Sequence, residues 1–137
     1  MADAVTSQTI VDTEKRVVMK FTNLSDGNGE AAVKKVDVSA LTAHPDGTAC
    51  SIVTIDQIWY EVGGMRVLID FDASTNVAAL VLGGSAAAGN VHGHMDFRSF
   101  GGIKNNASSP TGDLDFTTSG HTNLDHYTIV LEMRKQY

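Results

Sequence analysis

"DHYTIVLEMRK", residues 125–135, is the stretch on which the fold turns. In an extended chain, successive side chains point to opposite sides. Tyr127, Ile129, Leu131 and Met133 then share one face, and His126, Thr128, Val130, Glu132 and Arg134 share the other. A helix would place apolar residues every three or four positions, a period this segment does not sustain. The pattern predicts a half-buried strand with the first set in the core. Each such side chain contributes roughly 1.5–3 kcal/mol when fully buried, so loss of this strand is predicted to unfold the domain.

The same period recurs upstream. In "MRVLIDFD" (residues 65–72), Met65, Val67, Ile69 and Phe71 oppose Arg66, Leu68, Asp70 and Asp72. "KRVVMKFTNL" (residues 15–24) sets Val17, Met19 and Phe21 against Arg16, Val18 and Lys20, and "GDLDFTTSG" (residues 112–120) sets Leu114 and Phe116 against Asp113, Asp115 and Thr117. "AAVKKVDVSAL" and "NVAALVL" add shorter candidates, and Asp26-Gly27 and Asn28-Gly29 mark a turn. "GGSAAAGN", residues 83–90, reads as a loop because its residues are small. Seven to eight short strands with glycine-rich connections predict an all-β fold, an antiparallel β-sandwich of jelly-roll-like type, with an open barrel as the other arrangement. One such domain is expected over residues 10–137, preceded by a flexible polar arm over residues 1–9.

"SIVTIDQIWYEV" (residues 51–62) is apolar on both faces. Gly63-Gly64 supplies the positive φ of a tight primed turn, so this segment and residues 65–72 are expected to form a hairpin. Alternation places Trp59 with Val53 and Ile55 in the core. It leaves Ile52, Ile58 and Tyr60, together with Thr54 and Asp56, on a second face. That face suits a partly buried interface with a polar rim. Either a partner subunit covers it, or a loop or the N-terminal segment does.

Charge and composition narrow the function. A net charge of −6 with a pI of about 5.1 leaves no basic stripe; the basic spots are pairs such as Lys34-Lys35 and Arg134-Lys135. Pairs neutralise few phosphates, so no nucleic-acid partner is expected. No segment approaches the length of a membrane helix, and the first residues lack the basic and apolar regions of a signal peptide. The single cysteine, Cys50, reads as a small buried residue. The loops at 42–49 and 101–112 are polar and carry no Tyr, Trp or Arg anchor.

"NVHGHMDF", residues 90–97, is the one metal-like motif. On a strand, His92, His94 and Asp96 share a face, a three-ligand set for a divalent cation. Alternation alone also explains it, because Val91, Met95 and Phe97 then serve the core. A cupin-type metalloenzyme would need a glutamate soon after the pair, and none follows before Glu132. No Gly-x-Ser-x-Gly elbow, His-Glu-x-x-His pair or phosphate cradle is present. The carboxylate pairs in "DFDAS" and "DLDF" lack the spacing of a calcium loop. The expectation is a protein that is not an enzyme and takes no cofactor.

"DQIWYEVGGMRVLIDFD", the ending "SGHTNLDHYTIVLEMRKQY" and the polar N-terminal arm resemble the small β-rich virion structural proteins of tailed bacteriophages. The resemblance covers the middle segment and the C-terminal third. It implies a non-catalytic capsid decoration (cement) protein, made in the host cytoplasm and carried in the virion. It further implies a homo-oligomer, a trimer by preference, that contacts the major capsid protein. Other implied roles are head–tail joining and minor tail protein. A carbohydrate-binding or adhesion module is the reading from a different class, and it requires an exposed aromatic platform.

Overall fold

The computed structural model describes residues 4–83 and 89–137 and contains nine strands among them. They are β1 (Ala4–Asp12), β2 (Arg16–Asp26), β3 (Val33–Val36), β4 (Ile52–Gly63), β5 (Arg66–Ala73), β6 (Val77–Gly83), β7 (Asn90–Asp96), β8 (Pro110–Ser119) and β9 (Asn123–Gln136). Short 3-10 turns at Val38–Ala40 and Arg98–Phe100 are the helical elements described. The "GGSAAAGN" loop falls, for residues 84–88, outside the described residues.

Two antiparallel sheets form the sandwich, one ordered β1-β2-β9-β4-β7 and the other β3-β8-β5-β6. Leaving β1 aside, the orders 2-9-4-7 and 3-8-5-6 run in step: the chain crosses between sheets after β2, β3, β4, β6, β7 and β8. This connectivity is the jelly roll. Strand β1 extends one sheet beyond it.

The faces read from the last strand are those observed. Tyr127, Ile129, Leu131 and Met133 are 0–1% exposed, against Val17, Met19 and Phe21 of β2 and Val67, Ile69 and Phe71 of β5 in one shared core. Leu114 and Phe116 of β8 complete it. Phe116 lies edge-on to Phe21, with ring centroids 5.1 Å apart, and tilts against Tyr127 at 5.9 Å. The Tyr127 hydroxyl donates to Glu30 Oε1 at 2.6 Å, Asn23 Nδ2 donates to the same oxygen at 2.9 Å, and Lys35 pairs with the other carboxylate oxygen. A buried carboxylate is tolerable only when so paired.

Three expectations are corrected. Strands β4 and β5 are not a hairpin, since they belong to different sheets. Gly64, with φ 78°, instead turns the chain from one sheet into the other. A two-glycine turn permits either outcome, and the partners of β4 are β9 and β7. The flexible arm over residues 1–9 is, from Ala4 onward, strand β1 paired antiparallel with β2. Residues Ala4–Ile10 of it are exposed, so main-chain pairing rather than apolar burial holds it, and no hydrophobic pattern announces it. The third correction lies inside β4 and determines the candidate site.

Candidate functional site

Along β4 the register slips between Ile55 and Gln57. Ile55 faces Met133 and Gln57 faces Glu132, leaving Asp56 as the extra residue of a β-bulge. One added residue inverts every later side chain. Val53 and Ile55 point into the core before the bulge, and Ile58 and Val62 do so after it, all 0% exposed. Tyr60 follows them inward, half-buried against the core. Trp59 emerges on the outer face, 38% exposed. The predicted interface set of Ile52, Ile58 and Tyr60 therefore does not share one face: Ile52, before the bulge, is half-buried on the outer side, whereas Ile58 is enclosed and the half-buried Tyr60 points inward. The sequence carried a signal for this. Its inward apolar positions step by two through Val53 and Ile55, then by three to Ile58, across the polar pair Asp56-Gln57.

Asp56 is held in place by the strand beside it. Both carboxylate oxygens accept from Arg134 Nε at 2.9 Å, and its backbone oxygen accepts from Phe97 N at 2.8 Å. The bulge is thus tied to β9 and to the end of β7.

Trp59 lies between His94 of β7 and Val130 of β9 in the register. Its ring and the His94 imidazole are 4.8 Å apart and within 8° of parallel. That spacing equals the separation of neighbouring strands, so both rings stand up from the sheet with one indole face covered by imidazole. Beside the stacked rings an open cleft of about 580 Å³ is lined by Trp59, Glu61, His92, His94, Thr128 and Val130, among others.

Hydrogen bonds fix the ring orientation. Gln57 Nε2 donates to Glu132 Oε1 at 3.2 Å, which leaves Gln57 Oε1 to accept from His94 Nε2 at 2.8 Å. His94 Nε2 therefore carries a proton. His126 Nε2 meets Glu61 Oε1 at 3.2 Å at the far side of the cleft. The result is a mixed sheet face on which Trp59 is an exposed, oriented aromatic ring beside Glu61, His126 and Val130.

The three metal candidates do share this face of β7 and are exposed. They are not assembled as ligands. His94 Nε2 is committed to Gln57, and Asp96 is clamped by Arg98 through Nε at 2.9 Å and the second guanidinium nitrogen at 2.7 Å. The Arg98 hydrogen bond lowers the Asp96 carboxyl to about 2. Among the described residues no group of three or more His, Cys, Asp or Glu is arranged to hold a metal ion.

A second polar cluster was not foreseen from sequence. Asp70 and Asp72 of β5 and Asp113 and Asp115 of β8 meet on the outer face of the four-stranded sheet, with Asp70 directly opposite Asp115. Lys34 pairs with Asp113 at 3.0 Å and Thr111 donates to Asp72 at 2.8 Å. Burial, then the neighbouring Asp72, raises the Asp115 carboxyl to about 6. Cys50 is buried, and burial likewise pushes its thiol up, away from the reactive thiolate.

What the fold and site define is a jelly-roll domain with one open, aromatic-anchored sheet face. Comparison with known proteins adds little to that class. No family model matches the chain, and no curated protein matches it. Among solved structures it is similar to a mutant of a family 29 carbohydrate-binding module, at 8% identity over 96% of this chain and 92% of that one, with a TM-score of 0.33. A likeness that distant defines neither ligand nor fold.

Proposed function

We propose that this chain is a non-catalytic structural protein of a bacteriophage particle, a capsid decoration protein that binds its protein partner through the outer face of the five-stranded sheet. The resemblance of residues 56–72 and 119–137 to virion proteins suggests the class. The observation that carries the reading is Trp59: a large aromatic side chain 38% exposed on the outer sheet face, stacked on His94 at 4.8 Å. Aromatic side chains in such settings dominate the energy of protein contacts, and a pre-ordered anchor costs less entropy on binding. Glu61, Glu132 and His126 stand beside it as a polar margin.

The test is cosedimentation of the purified protein with particles assembled without it, followed by electron microscopy of the decorated particle. The expected result is saturable binding that Trp59→Ala abolishes while the variant remains folded. Particles that do not take up the native protein overturn the proposal.

One feature favours a second reading, a carbohydrate-binding module. The cleft beside the indole is lined by Glu61, His92 and Thr128, which are hydrogen-bonding groups of the kind that orient a sugar. Tryptophan fluorescence across a glycan panel separates the readings: a saturable change with a glycan, and no uptake by particles, selects the second.

A further inference from the structure

We infer that β1 is a self-association edge, across which a second copy of this chain pairs antiparallel about a two-fold axis. The sandwich has four strand edges: β1 and β7 in one sheet, β3 and β6 in the other. An unpaired edge offers a row of main-chain donors and acceptors to any other strand, and proteins normally blunt it. Three of these edges are blunted. β3 has four residues and carries Lys34 and Lys35. β6 is bulged in its middle, where its pairing with β5 slips between Ile69 and Asp70. β7 presents His92, His94 and Asp96 around Gly93.

β1 has no such device over most of its length. It runs nine residues, and its register with β2 is unbroken from Ala4 to Thr9 before slipping at Ile10. Ala4–Ile10 contains no proline, lysine or other charged residue, in a chain of net charge −6. Both faces are bare as well. Val5, Ser7 and Thr9 lie on the same side as Met19 and Phe21, yet all three are exposed, because β1 packs substantially on β2 alone among the described strands. Val5 is 45% exposed and Ile10 51%.

The occupant follows from charge and symmetry. Two acidic copies repel wherever their carboxylates meet, and the uncharged Ala4–Ile10 stretch is where two edges can approach without that cost. A strand paired antiparallel with itself about a two-fold satisfies both β1 edges with one contact and closes, leaving no free β1 edge to add a third copy. Two five-stranded sheets then become one continuous sheet, and Val5 and Ile10 of each copy gain cover from the other.

The inference stands apart from the virion reading. A dimer that ignores particles sinks only the latter, and a monomer that decorates particles sinks only the former. The experiment is sedimentation equilibrium of the native protein and of the double variant Thr6→Glu, Gln8→Glu. Like charges placed opposite one another across the new pairing are expected to weaken the dimer about tenfold or more. Gln8 sits beside Lys20 on β2, so Gln8→Glu gains an attractive neighbour within its own chain, which offsets the exposed Thr6–Thr22 hydroxyl contact that Thr6→Glu removes, and the melting temperature of the variant at low concentration is expected to match the native one. A native protein that remains monomeric at high concentration overturns the inference. So does an oligomer of any size whose dissociation is unchanged in the double variant while its melting temperature is preserved. If the variant melts lower, Val81→Glu on the edge strand β6 provides the control: equal loss of dimer in both variants also overturns it.

Discussion

Replacing Ile58 and Trp59 separately by alanine turns the bulge at Asp56 into a measurement. Ile58 is 0% exposed in the shared core. Truncating a fully buried isoleucine costs about 2–5 kcal/mol, the transfer of the lost carbons plus the cavity left behind. Trp59 is 38% exposed, and what it loses is one stacking contact with His94 and partial cover from Val130. Stacking of that kind contributes about 0.5–1.5 kcal/mol, so the whole loss is expected near 1–2 kcal/mol. An entropy of unfolding of about 2 cal/mol/K per residue converts 1 kcal/mol into roughly 3–4 °C for a domain of this size. Ile58→Ala is therefore expected to lower Tm by about 10 °C and Trp59→Ala by about 5 °C. The assay is far-ultraviolet circular dichroism in heat and urea, because Trp59 is the single tryptophan and fluorescence is lost with it. Unbroken alternation through Asp56 predicts the opposite order, with Trp59→Ala the more damaging at about 3–5 kcal/mol. If Trp59→Ala melts below Ile58→Ala, the bulge is refuted, and with it the aromatic anchor on the outer face.

Other perturbations test other parts of the structure. Asp115→Asn is expected to stabilise the fold above pH 6 and to lose that advantage toward pH 4, read from melts across the range. Its folded carboxyl titrates at about 6 against an ordinary 3.8. The folded state thus holds the proton in that window, and native stability falls as pH rises through it, by about 3 kcal/mol at most; a variant whose advantage is independent of pH contradicts this. Tyr127→Phe leaves Glu30 without the donor now 2.6 Å away and is expected to cost about 1–3 kcal/mol in urea unfolding. Gly112 has φ 93°, and a Cβ there would lie 1.9 Å from the Ser51 carbonyl oxygen. Gly112→Ala is therefore expected to lose at least about 2 kcal/mol of stability, measured by the same melts. In the native protein, iodide is expected to quench the Trp59 emission strongly, since the indole meets solvent; a shielded emission would place the ring inside.

The sequence disclosed which side chains enter the core wherever alternation ran without interruption. β9, β2, β5 and β8 are such strands, and their inward sets were legible because burying the opposite set would put Glu132, Arg16, Asp70 or Asp113 in the core. Three things were hidden, each for a physical reason. Strand partners were hidden because alternation reports a face and says nothing of a neighbour. In a jelly roll the neighbours of β4 are β9 and β7, far along the chain, while the segment next to it in sequence lies in the other sheet. β1 was hidden because its hydrogen bonds to β2 suffice without an apolar face. The site was hidden because a bulge is a defect in the very period used to read the strand. In β4 that defect is written as two consecutive polar residues, Asp56 and Gln57, and both are employed: Asp56 receives Arg134, and Gln57 orients His94 against Trp59. A buried polar pair inside an apolar strand is costly unless each member finds a partner. Finding one here requires the chain to slip by a residue, and that slip is what carries the only tryptophan out of the core and onto the open face.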